Sequence, residues 1–130
     1  MTPANPRILI VDDERQNRQL LEVLLAPEGY LLDTASSAEE ALLVVSRQRP
    51  DLILLDVMMP GMDGYQLVAR LKANADTATI PVILLTALDD RNSRSHGLTA
   101  GATAFLTKPV DRHALTATIR NLLASDAAAG

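Results

Sequence analysis

The sequence contains no cysteine among its 130 residues. This absence excludes a disulfide framework, a thiolate metal site and a thiol nucleophile. The sequence also lacks any apolar run near the roughly 20 residues that span a membrane, and its first six residues are polar and contain proline, unlike a signal peptide. We therefore expect a cytoplasmic protein that neither crosses a membrane nor is secreted.

An excess of positive charge is missing as well. The chain has 12 Lys and Arg residues against 16 Asp and Glu residues, which gives a formal net charge of −4. Nucleic-acid binding depends on Lys and Arg side chains that neutralise phosphates. Direct nucleic-acid binding is therefore not expected of this chain.

Apolar residues are abundant enough to form a core. They make up 48% of the chain, and a domain of this length can be stable without disulfides or structural metals. The sequence shows no internal repeat and no long linker. We predict a disordered N-terminus over residues 1–6, one folded domain over residues 7–124, and a tail or linker over residues 125–130.

Short apolar runs indicate the strands of this domain. Runs that are apolar throughout are typical of strands covered on both faces, as in a parallel sheet. The runs are Ile8 to Val11, Leu52 to Leu55, Val82 to Leu85, the weaker Ala104 to Leu106, and Leu31 to Ala35, which includes polar residues.

Helical spacing appears between these runs, over about residues 14–26, 64–74, 91–100 and 111–123, and in a segment that begins near Ser37 and carries Ala41, Leu42 and Val45 on one face. In the first helix, Leu20, Leu21 and Leu24 are expected on one face. The second is expected to begin at a capping box formed by Ser37 and Glu40. The regular alternation predicts an α/β fold, a doubly wound five-stranded parallel sheet of order 2-1-3-4-5 with five helices, as in flavodoxin-like folds.

Polar residues stand where four predicted strands end: Asp12 and Asp13, then Asp56, then Thr86, then Lys108. In open parallel sheets, ligands bind at the carboxyl edge of the strands, at the switch point of the strand order. Each residue also has an ordinary explanation as a helix cap, a turn residue or a solvated lysine. Asp56 fits such an explanation least well, because a carboxylate is rarely placed so close to a core without a partner.

Three carboxylates in one pocket require a cation. At about 4 Å and an effective dielectric near 20, each pair repels by roughly 4 kcal/mol. An oxygen-rich site with room for water suits Mg²⁺, and Lys108 adds a second positive charge. A metal, a lysine and a hydroxyl around one carboxylate are the groups needed for phosphoryl transfer onto it, which makes Asp56 the predicted nucleophile.

Four motifs occur in this order: ILIVDDE from Ile8, LLDVMMPGMDG from Leu54, LTA from Leu85 and FLTKP from Phe105. As a set, they resemble the response regulator receiver domain of bacterial two-component signalling, over about residues 7–123. The resemblance implies a phospho-acceptor that assists its own phosphorylation and dephosphorylation but is not otherwise an enzyme. Its donor would be a phosphohistidine on a sensor histidine kinase or a histidine phosphotransfer protein, whereas His96 and His113 are expected to be surface residues.

The resemblance also implies individual roles, with Asp56 as the phosphorylated residue. The implied Mg²⁺ ligands are three carboxylates and one backbone carbonyl, those of Asp12, Asp13, Asp56 and Met58. The implied phosphoryl-binding and switch groups are the Thr86 hydroxyl, the Ala87 backbone N–H, the Lys108 ammonium and the Phe105 ring. The Lys108–Pro109 peptide would be cis.

Output would come from the face formed by the fourth helix, the fifth strand and the fifth helix. The resemblance implies that this face signals to a partner or an effector domain and supports a homodimer. It also places Met58 and Leu88 beside the path of the water that hydrolyses the phosphoryl group. Because both are apolar and cannot orient that water, we expect slow loss of the group.

Two other functions fit parts of the pattern. A haloacid-dehalogenase-like phosphatase also uses an aspartate nucleophile and Mg²⁺, but it needs a second acid two residues later, where Met58 stands. A receiver-like interaction module that works without phosphorylation would keep the fold and lose the chemistry. The complete set of acids, hydroxyl and lysine argues against such a module.

Overall fold

The computed structural model describes residues 5–87, 95 and 99–129 of the chain, and the side chains of residues 125–129 are not described. Several predictions therefore lie outside the described residues. They are the N-terminal segment up to residue 4, most of the predicted fourth helix, and the placements of Leu88 and His96.

The predicted sheet is confirmed: five parallel strands in the order β2-β1-β3-β4-β5. The strands are β1 Arg7–Val11, β2 Leu31–Ala35, β3 Leu52–Asp56, β4 Val82–Thr86 and β5 Ala104–Thr107. All five residues of β3 and of β4 are buried, whereas all four residues of β5 are half-buried. The continuous apolar runs therefore correspond to strands covered on both faces.

Four α-helices are described. They are α1 Arg15–Leu25, α2 Ala38–Arg47, α3 Gly64–Ala73 and the C-terminal helix Arg112–Ala129, and a short 3-10 helix, Ala26–Glu28, follows α1. The C-terminal helix continues past residue 123, into the alanine-rich segment. Among the described residues, no helix is both long enough and apolar enough to cross a membrane.

Two local predictions need correction. Leu20 was expected on the buried face of α1, but it is 56% exposed, while Leu21 and Leu25 are buried. The Ser37 side chain accepts the Glu40 N–H as expected, but the Glu40 carboxylate accepts from Ser36 instead of Ser37. A full capping box occurs at α3, where Asp63 and Gln66 bond each other's backbone N–H groups.

The core is divided into two clusters because successive strand side chains point to opposite faces of the sheet. One face carries Leu9, Val11, Ile53, Leu55 and Leu84 among its buried residues, packed with α2 and α3 side chains. The other carries Ile8, Ile10, Leu52, Leu54 and Ile83, packed with α1 and the C-terminal helix. Each strand is thereby held from both sides, and its carboxyl end is fixed at one edge.

Candidate functional site

The strand order brings the predicted site residues to one edge of the sheet. Asp12 directly follows β1, Asp56 ends β3, and Lys108 directly follows β5. Strand β3 lies between β1 and β4, and Asp56 is in register with Leu85, the residue before Thr86. Thr86 is thus one position further along the neighbouring strand.

The three predicted acids form one cluster. Asp12, Asp13 and Asp56 each offer a carboxylate oxygen, and these oxygens lie within 4.8 Å of one another. Asp12 is fully buried and Asp56 is 6% exposed, whereas Asp13 is exposed. Hard oxygen ligands with an open, solvated side fit a divalent cation such as Mg²⁺ in chemical type.

Lys108 bridges the two buried acids. Its Nζ donates to Asp56 Oδ1 at 3.1 Å and to Asp12 Oδ2 at 3.3 Å. The one ammonium therefore pairs with two of the three carboxylates of the cluster, which leaves a surplus of acidic groups. This surplus favours a further cation in the site.

The pKa values in the cluster follow from burial and from these contacts. Burial, and then the charge of Asp12, raises the pKa of Asp56, although Lys108 and the Met58 backbone N–H oppose the rise. Burial by itself would lower the pKa of Lys108, but the charges and hydrogen bonds of Asp56 and Asp12 reverse this effect and raise it. Lys108 therefore stays protonated, and Asp56 is the acid that is costly to ionise.

The chain after β3 wraps closely around Asp56. The Val57 N–H donates to the Leu85 carbonyl at 3.0 Å, and the Gly64 N–H donates to the Val57 carbonyl at 2.9 Å. Met58 donates its N–H to Asp56 while its side chain is 62% exposed. The start of α3 is thus attached directly to the end of β3.

The predicted switch residues lie on the neighbouring strands. Thr86 is fully buried at the end of β4, and the adjacent Ala87 is exposed. Phe105 is half-buried in β5, in register with Leu84. The Lys108 N–H donates to the Thr86 carbonyl at 2.7 Å, and the Lys108–Pro109 peptide is cis. The backbones of Thr86 and Lys108 are therefore joined by a hydrogen bond.

An apolar groove of about 400 Å³ opens beside Asp12 and Lys108. It lies between α1 and the segment after β5, and Leu20, Leu21, Ala87, Pro109 and Val110 are among its lining residues. Exposed Val23, at 69%, lies one turn along α1 from Leu20. His113, by contrast, is an exposed residue of the C-terminal helix, as expected.

Two structural contributors were missed at the level of sequence. Gly64 was expected only as part of the third helix, predicted over about residues 64–74, yet it packs against the backbone of residues 56 and 57. Arg18 received no role, yet its Nη1 donates to the Asp12 carbonyl at 2.6 Å. A glycine at the start of a helix, just after an acidic turn, indicates close backbone packing such as that of Gly64. No sequence signal predicts the contact of Arg18 with the Asp12 carbonyl.

Comparison with known proteins gives consistent matches. The family model for the response regulator receiver domain matches residues 8–120. The response regulator PleD of Caulobacter vibrioides is 51% identical over 89% of this chain and 26% of its own length. The transcriptional regulatory protein AfsQ1 of Streptomyces coelicolor is 41% identical over 91% of this chain and 51% of its own length.

A solved structure agrees with these matches. The signal receiver domain of a signal transduction histidine kinase from Syntrophus aciditrophicus has a TM-score of 0.86 and is 41% identical, and the match covers 92% of this chain and 91% of that chain. The chain spans about a quarter of the length of PleD and about half of that of AfsQ1.

Proposed function

Because the chain belongs to the response regulator receiver domain family, we propose that it is a phospho-acceptor switch in which Asp56 takes a phosphoryl group. The observation that carries this proposal is the position of the Asp56 carboxylate. It is nearly buried, it shares a pocket with Asp12 and Asp13, and it accepts a hydrogen bond from Lys108 at 3.1 Å.

The metal in this proposal is Mg²⁺. Its ligands would be carboxylate oxygens of Asp12, Asp13 and Asp56 together with the carbonyl of Met58. The cluster fits such an ion because its oxygens lie within 4.8 Å of one another and its carboxylates outnumber the single ammonium. When bound, Mg²⁺ would offset the charge of the carboxylates and of the incoming phosphoryl oxygens.

The transfer step uses an oxygen of Asp56. That oxygen attacks the phosphorus of a phosphohistidine, the O–P bond forms, the P–N bond breaks, and the imidazole leaves with the electron pair of that bond. Lys108, already paired with Asp56, would then face the phosphoryl oxygens. The Thr86 hydroxyl and the Ala87 N–H would supply further hydrogen bonds from the neighbouring strand.

The donor would be a sensor histidine kinase or a histidine phosphotransfer protein that docks at the apolar groove. This groove fits the role because it reaches Asp12 and Lys108 at one end and includes exposed Leu20. An apolar centre with a polar rim is a usual form of protein interface. Docking there would bring the phosphohistidine to Asp56.

The output in this proposal begins with Thr86 and Phe105. Movement of Thr86 towards the phosphoryl group would change the packing of Phe105 and the face around β5 and the C-terminal helix. This coupling requires that the phosphoryl group bind one arrangement better than the other. The partner at that face would be an effector domain, an effector protein or a second copy of the chain.

Incubation with Mg²⁺ and acetyl phosphate, followed by intact mass measurement, tests the proposal. We expect one added phosphoryl group in the wild type and none in Asp56→Asn. Asp76→Asn, which changes an exposed acid outside the cluster, should be modified like the wild type. Absence of modification in the wild type would favour the phosphorylation-independent module, and turnover of general phosphoesters would favour the phosphatase.

A further inference from the structure

Arg18 of α1 is bonded to the backbone of the acidic cluster. Its Nη1 donates to the Asp12 carbonyl oxygen at 2.6 Å, a short contact between a charged donor and a carbonyl of a fully buried residue. Arg18 is half-buried, whereas Arg15 on the same helix is exposed. Hydrogen bonds with an ionised donor are stronger than neutral ones and fix geometry more firmly.

This contact completes the bonding of Asp12. Its N–H donates to the Ala35 carbonyl at 3.1 Å, and its Oδ1 accepts the Glu14 N–H at 2.9 Å. Its Oδ2 accepts from Lys108 at 3.3 Å. The carbonyl lies beyond the last β1 residue, so the donor it receives comes from the Arg18 side chain.

The Asp12 carbonyl belongs to the peptide that joins Asp12 to Asp13. This peptide is planar and includes the backbone nitrogen of Asp13. A hydrogen bond to its oxygen therefore restricts rotation of the whole peptide unit. Asp13 is exposed, so the direction of its carboxylate depends on this backbone. Arg18 therefore contacts the peptide that links two of the three acids.

We propose that Arg18 is a positioning residue for cation binding, which acts by fixing the Asp12–Asp13 peptide. This inference rests on the proposed cation site. Groups that orient metal ligands from outside the ligand set typically contribute about 10- to 100-fold in metal affinity. Removal of Arg18 should therefore weaken Mg²⁺ binding.

The direction of the effect separates positioning from charge. Arg18 is a cation close to a cation site, so if it acted only through its charge, its removal would reduce repulsion and tighten Mg²⁺ binding. If it acted only as a structural link between α1 and β1, its removal would lower stability and leave affinity unchanged. Positioning alone predicts weaker binding by a protein that remains folded.

Mg²⁺ affinity is measured by calorimetric titration of the wild type, Arg18→Met and Arg18→Lys, with folding checked by circular dichroism. We expect about tenfold weaker binding in Arg18→Met and partial recovery in Arg18→Lys, which retains a charged donor. Arg15→Met removes the same charge from the exposed face of α1 and should bind Mg²⁺ like the wild type. If Arg18→Met does not fold, Arg18→Gln provides the comparison.

Equal or tighter Mg²⁺ binding by the folded Arg18 variant would overturn this inference alone. Failure of the wild type to bind Mg²⁺ would overturn the proposed site, and the inference with it. A decrease of equal size in Arg15→Met would also overturn the inference, because it would show that the weaker binding does not depend on the contact with the Asp12 carbonyl.

Discussion

Gly64 and Asp56 are packed backbone against backbone. A Cβ added to Gly64 would lie 2.7 Å from the Asp56 carbonyl oxygen and 2.8 Å from the Cα of Val57. Both contacts involve main-chain atoms, which cannot rotate away as the end of a side chain can. The absence of a side chain at the start of α3 therefore allows the helix to pack directly on the end of β3.

Gly64→Ala should destabilise the protein and disturb the acceptor. We expect a loss of about 1–3 kcal/mol in the free energy of unfolding, the usual cost of overpacking, together with slower phosphorylation by acetyl phosphate. Urea unfolding and intact mass time courses measure the two effects. Gly29→Ala is the matched control, because Gly29 has φ +80° but open space around it, so it should lose stability without slower phosphorylation.

Asp56→Asn should stabilise the protein at neutral pH without divalent cations. Burial and Asp12 raise the Asp56 pKa above its ordinary value of 3.8, so the folded state loses stability as the pH rises from that value through the folded pKa. We expect a gain, because the amide removes the repulsion from Asp12 while Lys108 keeps its ion pair with Asp12. Urea unfolding near pH 7 and near pH 4 should show the gain shrinking at acid pH, and a less stable variant at pH 7 would contradict the prediction.

Lys72→Met should destabilise the protein without affecting the site. The Lys72 Nζ donates to the carbonyl oxygens of Ala78 at 2.9 Å and Ile80 at 2.8 Å. The loss of these two hydrogen bonds should lower the free energy of unfolding by about 1–3 kcal/mol. Part of this loss is offset, because burial disfavours the charged form of Lys72 and lowers its pKa. Thermal unfolding measures the loss, and Arg70→Met, an exposed change in the same helix, should stay close to the wild type.

Leu20→Asp should impair phosphorylation by a protein donor and not by acetyl phosphate. An acid in the apolar groove would weaken docking without contacting the acceptor. We expect the rate of phosphoryl transfer from a phosphorylated histidine phosphotransfer protein to fall at least about fivefold. This is the effect of losing an interface contact worth about 1 kcal/mol. Leu43→Asp is the matched control, because Leu43 on α2 is 57% exposed against 56% for Leu20. Equal transfer rates in the two variants would exclude this groove as the docking surface.

Polar residues at positions 58 and 88 should shorten the lifetime of the phosphoryl group. Met58 is 62% exposed beside Asp56, and Leu88 lies outside the described residues. A double change, Met58→Asn with Leu88→Asn, would supply hydrogen bonds that orient the hydrolytic water. The half-life of the phosphorylated protein, followed by intact mass, should decrease, and an unchanged half-life would refute the idea.

Much of the fold could be predicted because the strands are simple in composition. The four-residue runs ending at Val11, Leu55 and Leu85 are apolar throughout, as expected for strands covered on both faces, and the parallel order then placed the acids at one edge. The family was predictable from motifs that lie at these strand ends, and the family match confirms that prediction.

The remaining features depend on orientation, which spacing does not specify. Helix α1 contains Leu20, Leu21, Leu24 and Leu25, and a stripe of leucines this wide does not reveal which member faces solvent. Ser36 and Ser37 are equally suitable partners for Glu40, and the turn geometry decides between them. The reach of Arg18 to the Asp12 carbonyl depends on how α1 sits on β1.

The unequal burial of β3 and β5 has a mechanical consequence. Strand β3, which ends in Asp56, is enclosed at every position, while β5, which leads to Lys108, is half-exposed at every position. Resistance to displacement increases with the number of atoms packed around a segment. The mixed anhydride proposed on Asp56 would therefore form at the end of the strand that resists displacement most. Strand β5, which lies at the edge of the sheet and leads to Lys108, is the strand that can shift when the charge at Asp56 changes.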